Sequence, residues 1–95
     1  IDNLTFEAPD VERFPALRIA REALQAGGAA PIVLNAANEV AVARFLNGGL
    51  KFLDIARIVE DALARSNVPA PNCIDDVGDI DRTARRLAIE LIGAV

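Results

Sequence analysis

Ninety-five residues carry a net charge of −4, a pI near 4.6 and an apolar content of 53%, enough for one modest core and one domain. The ten Arg and Lys residues are scattered among fourteen acids and form no basic stripe, which argues against nucleic acid as a partner. The longest apolar run, Ala29 to Leu34, has six residues, too short to cross a bilayer, and no signal peptide is readable.

Only four residues are aromatic, Phe6, Phe14, Phe45 and Phe52, so the packing must be aliphatic and rich in alanine. Alanine has the best helix propensity and lets helices approach closely, which favours helix on helix. Cys73 is the sole cysteine, so an internal disulfide is excluded and a reducing compartment is favoured. A first residue of Ile1 rather than Met suggests excision from a longer protein.

Residues 1–13 read as an extended arm or linker, with Leu4 and Phe6 alternating with polar residues and Pro9 removing a donor. The rest, 14–95, reads as one helical domain. Pro15 suits a first helical position, and Leu17, Ala20 and Leu24 share a face of a helix over about 15–26. Arg18 and Glu22 lie four apart on another face. Gly27 and Gly28 end that helix, because glycine takes the left-handed cap conformation without a Cβ penalty.

Pro31 opens a second apolar segment whose helical part is expected over about 35–47, with Asn35 as N-cap and Gly48 and Gly49 closing it. Its residues are apolar nearly all round, the pattern of a buried central helix. A third helix over about 54–66 has the plainest stripe: Ile55, Ile58, Val59, Ala62 and Leu63. Asp54 suits its positive end, and Asp61 and Arg65 are spaced as an ion pair. Val77, Ile80, Ala84, Leu87 and Leu91 define a fourth helix over about 75–92, with Gly78 inside it at a cost of about 1 kcal/mol against alanine. Short connections predict neighbours that pack roughly antiparallel. The fold class is therefore all-α: a four-helix bundle-like domain behind an extended arm.

Catalytic machinery is hard to find. Without histidine there is no Ser-His-Asp or Cys-His nucleophile system, and one cysteine builds no thiolate metal site. Gly27-Gly28 and Gly48-Gly49 match neither the dinucleotide nor the P-loop spacing. Asp75, Asp76 and Asp79 form a DDxxD string of the kind with which prenyl-chain synthases hold magnesium against a diphosphate. Acids also gather in a first helical turn for the dipole alone, and Arg82, Arg85 and Arg86 follow to neutralise them. That second reading is the one adopted, and no catalytic, cofactor-binding or metal-ligating residue is assigned. Asn38 and Glu39 remain as candidate interdomain contacts, since polar residues near one end of a mostly apolar helix suit an interface.

Several strings occur together in order: Leu4-Thr5-Phe6-Glu7-Ala8-Pro9-Asp10, Arg13-Phe14-Pro15-Ala16-Leu17, Gly27-Gly28, and Val33-Leu34-Asn35-Ala36-Ala37-Asn38-Glu39-Val40-Ala41-Val42. Phe45-Leu46, Phe52-Leu53-Asp54-Ile55, Asp81 and Ala84-Arg85 follow. On these the chain resembles the C-terminal helical domain of 1-deoxy-D-xylulose 5-phosphate reductoisomerase over nearly its whole length. Gly78 and Leu53 depart from the pattern, one standing where a better helix former is expected and the other at a position often polar.

The resemblance implies a parent enzyme of the non-mevalonate isoprenoid pathway that uses NADPH and a divalent metal, Mg or Mn. It places both sites in other domains, and so implies partners in the catalytic and NADPH-binding domains of the same chain. It also implies a homodimeric parent in the bacterial cytoplasm. A free-standing helical interaction module and a magnesium-diphosphate enzyme are the competing readings.

Overall fold

A computed structural model describes residues 15–66 and 69–94. The expected arm over 1–13 lies outside the described residues. Four helices make up the described fold: α1 Pro15–Ala26, α2 Ala30–Leu46, α3 Phe52–Arg65 and α4 Ile74–Gly93. No strand occurs among the described residues.

The helix α2 is the hub. It packs against all three others, α3 packs against α4 and α1, and α1 makes no packing contact with α4 among the described residues. The cause lies in composition. Ala36, Ala37 and Ala41 of α2, Ala62 of α3 and Ala88 of α4 are all fully buried, and their small side chains let the helices close on one another. Val33, Ile58, Val59, Ile80, Leu91 and Ile92 fill the space between, and no polar or charged residue is buried among them.

Helix α2 starts earlier than its sequence suggests. Asn35 is no cap: it lies exposed inside the helix, which begins at Ala30. Pro31 sits in the first turn, where its missing N–H is not needed. The Ala29 carbonyl accepts from the N–H groups of Ile32 and Val33, both at 3.0 Å, so the turn closes with no side-chain cap. At the other end Gly48 takes φ +81°, its N–H donates to Phe45 O and the Gly49 N–H donates to Arg44 O. This pair of bonds is a Schellman motif, and it requires a left-handed residue at Gly48.

Helix α1 turns a different face inward than expected. Ile19 and Ala23 are buried, whereas Leu17 and Leu24 are 45% and 67% exposed. Two apolar stripes share this helix, and packing against α2 and α3 buries the Ile19 side. The Arg18 guanidinium donates to Glu60 of α3 at 2.9 Å and also pairs with Glu22 at 3.3 Å, both on the exposed side of that contact. The hydrogen bond to Glu60 leads the causes that raise the Arg18 pKa above its ordinary value.

Helix α3 buries Ile58, Val59 and Ala62, with Ile55 and Leu63 half-buried beside them. Asp61 and Arg65 form no ion pair among the described residues, whereas Arg57 comes within 3.8 Å of Asp54. Exposed pairs at this spacing are worth only a few tenths of a kcal/mol, too little to fix a geometry. Helix α4 buries Ile80, Ala84, Ala88, Leu91 and Ile92. Val77 belongs to the expected stripe yet lies 39% exposed, because the first turn of α4 projects past the core.

The buried sides of the four helices pack on one another in a single core. The 95-residue chain alone is therefore expected to give a strongly helical far-UV circular dichroism spectrum in buffer containing a chelator. A spectrum dominated by coil would overturn the bundle.

Candidate functional site

The acidic string at the start of α4 does not converge on a point. Asp76 Oδ2 accepts the backbone N–H of Asn72 at 2.9 Å, closing the loop that leads into the helix. Asp79 is paired with Arg82, and Asp75 lies exposed in the first turn. Among the described residues no three carboxylates or thiols come together in a metal-binding group. The arrangement is that of a helix start: Asp76 ties down the preceding loop, Asp75 and Asp76 complement the dipole, and Asp79 is taken up by Arg82 one turn on.

Changing Asp76 and Asp79 together to Asn tests this. Asparagine keeps an acceptor for the Asn72 N–H, so the loss is mainly of charge near the helix dipole, about 0.5–1 kcal/mol in thermal denaturation. Magnesium should leave both melting curves where they are. A magnesium-dependent rise in the parent chain that vanishes in the variant would mark a cation site.

The start of α2 offers an anion little. The Ala30 N–H donates to Gly27 O at 3.1 Å, Pro31 has no N–H, and those of Ile32 and Val33 are already bonded. Gly27 and Gly28, at φ +67° and +58°, serve the reversal between α1 and α2. A phosphate cradle needs free backbone donors at such a turn.

Asn38 and Glu39 are both exposed on α2 but point about 100° apart, as helical neighbours must. Asn38 faces α1 and α3, at the edge of a cavity of about 40 Å³ lined also by Ile19, Leu34 and Ile55. Glu39 faces α4, where its Oε1 accepts from Arg85 Nη2 at 2.7 Å. Arg85 Nε donates in turn to Asp81 Oδ2 at 2.8 Å. Its guanidinium is raised well above its ordinary pKa, first by the bond to Asp81 and then by that to Glu39. Sequence reasoning missed this clamp. The spacing of Asp81 and Arg85 signals half of it, but Glu39 lies 46 residues away and nothing local points to it.

The motif Asn35-Ala36-Ala37-Asn38-Glu39-Val40-Ala41 is thus mainly architectural. Its alanines are fully buried where the helices meet, and its acid pairs with Arg85 of α4. Over residues 1–87 the chain matches the family described as DXP reductoisomerase C-terminal domain. It belongs to that family.

Full reductoisomerases show how much of such a protein this is. The chain is 58% identical over 87 residues to the 1-deoxy-D-xylulose 5-phosphate reductoisomerase of Acidithiobacillus ferrooxidans, covering 92% of this chain and 22% of that protein. With the enzyme of Rhodospirillum centenum it shares 58% identity over 91 residues, covering 96% of this chain and 23% of the relative. The solved reductoisomerase of Zymomonas mobilis in complex with NADPH superposes with a TM-score of 0.90 at 50% identity, over 94% of this chain and 24% of that one. The chain therefore spans about a quarter of the length of the relatives it matches. Among the described residues, no helix is long and apolar enough to cross a membrane.

Proposed function

We propose that this chain is the C-terminal packing domain of a reductoisomerase that converts 1-deoxy-D-xylulose 5-phosphate to 2-C-methyl-D-erythritol 4-phosphate, and that it supplies no catalytic group. The supporting observation is the four-helix backbone it shares, at a TM-score of 0.90 and 50% identity, with a quarter of an NADPH-bound reductoisomerase. In this reading residues 1–13 are the arm that leads from the preceding domains and 14–95 are the helical domain.

NADPH and a divalent metal, Mg or Mn, belong to the parent reaction, and the described residues suit neither. No carboxylate group converges. A pyrophosphate cradle is built on a strand-to-helix turn with free N–H groups, whereas the glycine pair here joins α1 to α2, and the N–H groups of Ala30, Ile32 and Val33 at the start of α2 are taken. No step of the reaction is therefore routed through this chain. Its residues act by holding shape: the buried alanines set helix spacing, and Arg85 ties α2 to α4. Asn38 and Glu39, both exposed, are the candidate contacts to the other domains. The parent is proposed to be a cytoplasmic bacterial homodimer.

Two measurements test this. The full-length gene product should oxidise NADPH when given 1-deoxy-D-xylulose 5-phosphate and a divalent metal. Calorimetric titration of the 95-residue chain with NADPH should show no binding. Micromolar affinity for NADPH in the isolated chain would refute the non-catalytic role.

A further inference from the structure

Three apolar side chains of the motifs that carry the family resemblance stand outside the domain's own core, although Ile55 of the same stretch packs against it. Leu46, Phe52 and Leu53 are 74%, 68% and 84% exposed, gathered at the corner where α2 turns into α3. Phe45 meets Phe52 there edge to face, with ring centroids 5.7 Å apart and planes at 63°. The corner is preformed. Gly48 holds the left-handed conformation, two hydrogen bonds close the turn, and the Arg44 side chain lies so near Gly49 that a Cβ there would fall 2.6 Å from Arg44 Cδ.

Exposed aromatic side chains held in one shape, with cations beside them, have the make-up of an interface anchor. The cations also select the partner. Arg44 and Lys51 precede the two rings in the chain and border the turn, and neither is ion-paired among the described residues. Asp54, which shares a hollow with Lys51, is met by Arg57 at 3.8 Å, so a basic corner stands on a chain of net charge −4. A two-fold pairing of two such corners would set these cations against their own copies, which disfavours a second copy of the chain. An apolar surface edged by carboxylates fits. Some three-quarters of the length of the NADPH-bound relative lies outside the matched region, so a parent of this kind has ample surface to supply one.

We infer that the α2–α3 corner is a surface by which this domain seats on the rest of its parent chain, in addition to the Asn38 and Glu39 contacts, against an apolar patch edged by carboxylates. The inference rests on the proposed function and names the docking face within it.

Lys51 is the only lysine in the chain and so reports on this corner alone. Its acetylation by an N-hydroxysuccinimide ester can be followed by mass spectrometry in the 95-residue chain and in the full-length parent. Lys51 is expected to react roughly tenfold more slowly in the full-length protein, as a docked surface is shielded. Changing Phe52 and Leu53 together to Ser should restore fast labelling in the full-length protein. The same change should leave the helicity and melting of the isolated chain intact.

Equal labelling rates in the two proteins would overturn the inference. Protection that appears in the isolated chain and grows with its concentration would assign the corner to a second copy. Protection conferred only by vesicles of anionic phospholipid would assign it to a lipid surface. Either result also overturns it. Activity keeps the two readings apart: a full-length protein that works as a reductoisomerase yet leaves Lys51 unprotected refutes the docking face alone. Protection in a protein without that activity refutes the proposed reaction alone.

Discussion

Replacing Ala41 with glutamate is expected to lower the melting temperature of the domain by roughly 20 °C, or to prevent it from folding. Ala41 is fully buried in α2, the helix that packs against all the others. A carboxylate there would meet only apolar neighbours, because no polar or charged residue is buried among the described residues. An unpaired buried charge costs on the order of 4 kcal/mol or more, against a total stability of about 5–15 kcal/mol for a small domain.

The loss should depend on pH. Burial disfavours the charged form, so the introduced carboxyl has a higher pKa folded than unfolded, and the folded state binds the extra proton. The penalty is therefore complete above the folded pKa and shrinks as pH falls towards the unfolded value of about 4.3. Melting curves from pH 8 to pH 4 should show the variant recovering part of its deficit relative to the unmodified chain. In a full-length reductoisomerase the same change should reduce soluble yield while leaving the Michaelis constant for NADPH nearly normal. A stable, well-folded enzyme whose turnover alone has collapsed would place a catalytic group in this domain.

What could be read from the sequence depended on how many answers each segment allowed. The inward face of α3 was legible because Ile55, Ile58, Val59, Ala62 and Leu63 form a single stripe. Gly48 announced a helix stop because few other residues tolerate its φ of +81°. The face of α1 was ambiguous, since Leu17/Leu24 and Ile19/Ala23 are both apolar, and the choice is made by long-range packing on α2 and α3 that no local pattern shows. The start of α2 misled for a related reason. Asn35 is the nearest residue able to cap, but the helix begins at Ala30 with no side-chain cap at all.

The candidate site was legible only in part. Asn38 and Glu39 stand out as polar residues on an apolar helix, but a string does not show that they face different neighbours. The exposed corner at Phe52 was hidden for the opposite reason. Phe52 and Leu53 fall outside the Ile55–Leu63 stripe, and a string does not show which way apolar residues beside a helix start face.

Two adjacent positions on α3 give the most direct test of that placement. Ile58 is 1% exposed and, with Val33, is one of the two largest fully buried side chains, so Ile58→Ala leaves a cavity in the middle of the core. The change is expected to cost about 2–5 kcal/mol, only slightly offset by alanine's better helix propensity. In a domain of this size that is a fall in melting temperature of at least about 10 °C. Arg57, the residue before it, has a side chain 70% exposed, and its one ion pair among the described residues is with Asp54, at 3.8 Å. A surface pair of this kind contributes little, so Arg57→Ala should fall within about 0.5 kcal/mol of the unmodified chain. Both changes end in alanine one residue apart on the same helix, and the propensity gains differ by only a few tenths of a kcal/mol, so the difference between them is dominated by burial. Parallel thermal melts read it directly. Equal shifts at the two positions would mean that α3 does not turn Ile58 into a packed core, and the helix arrangement described above would have to be abandoned.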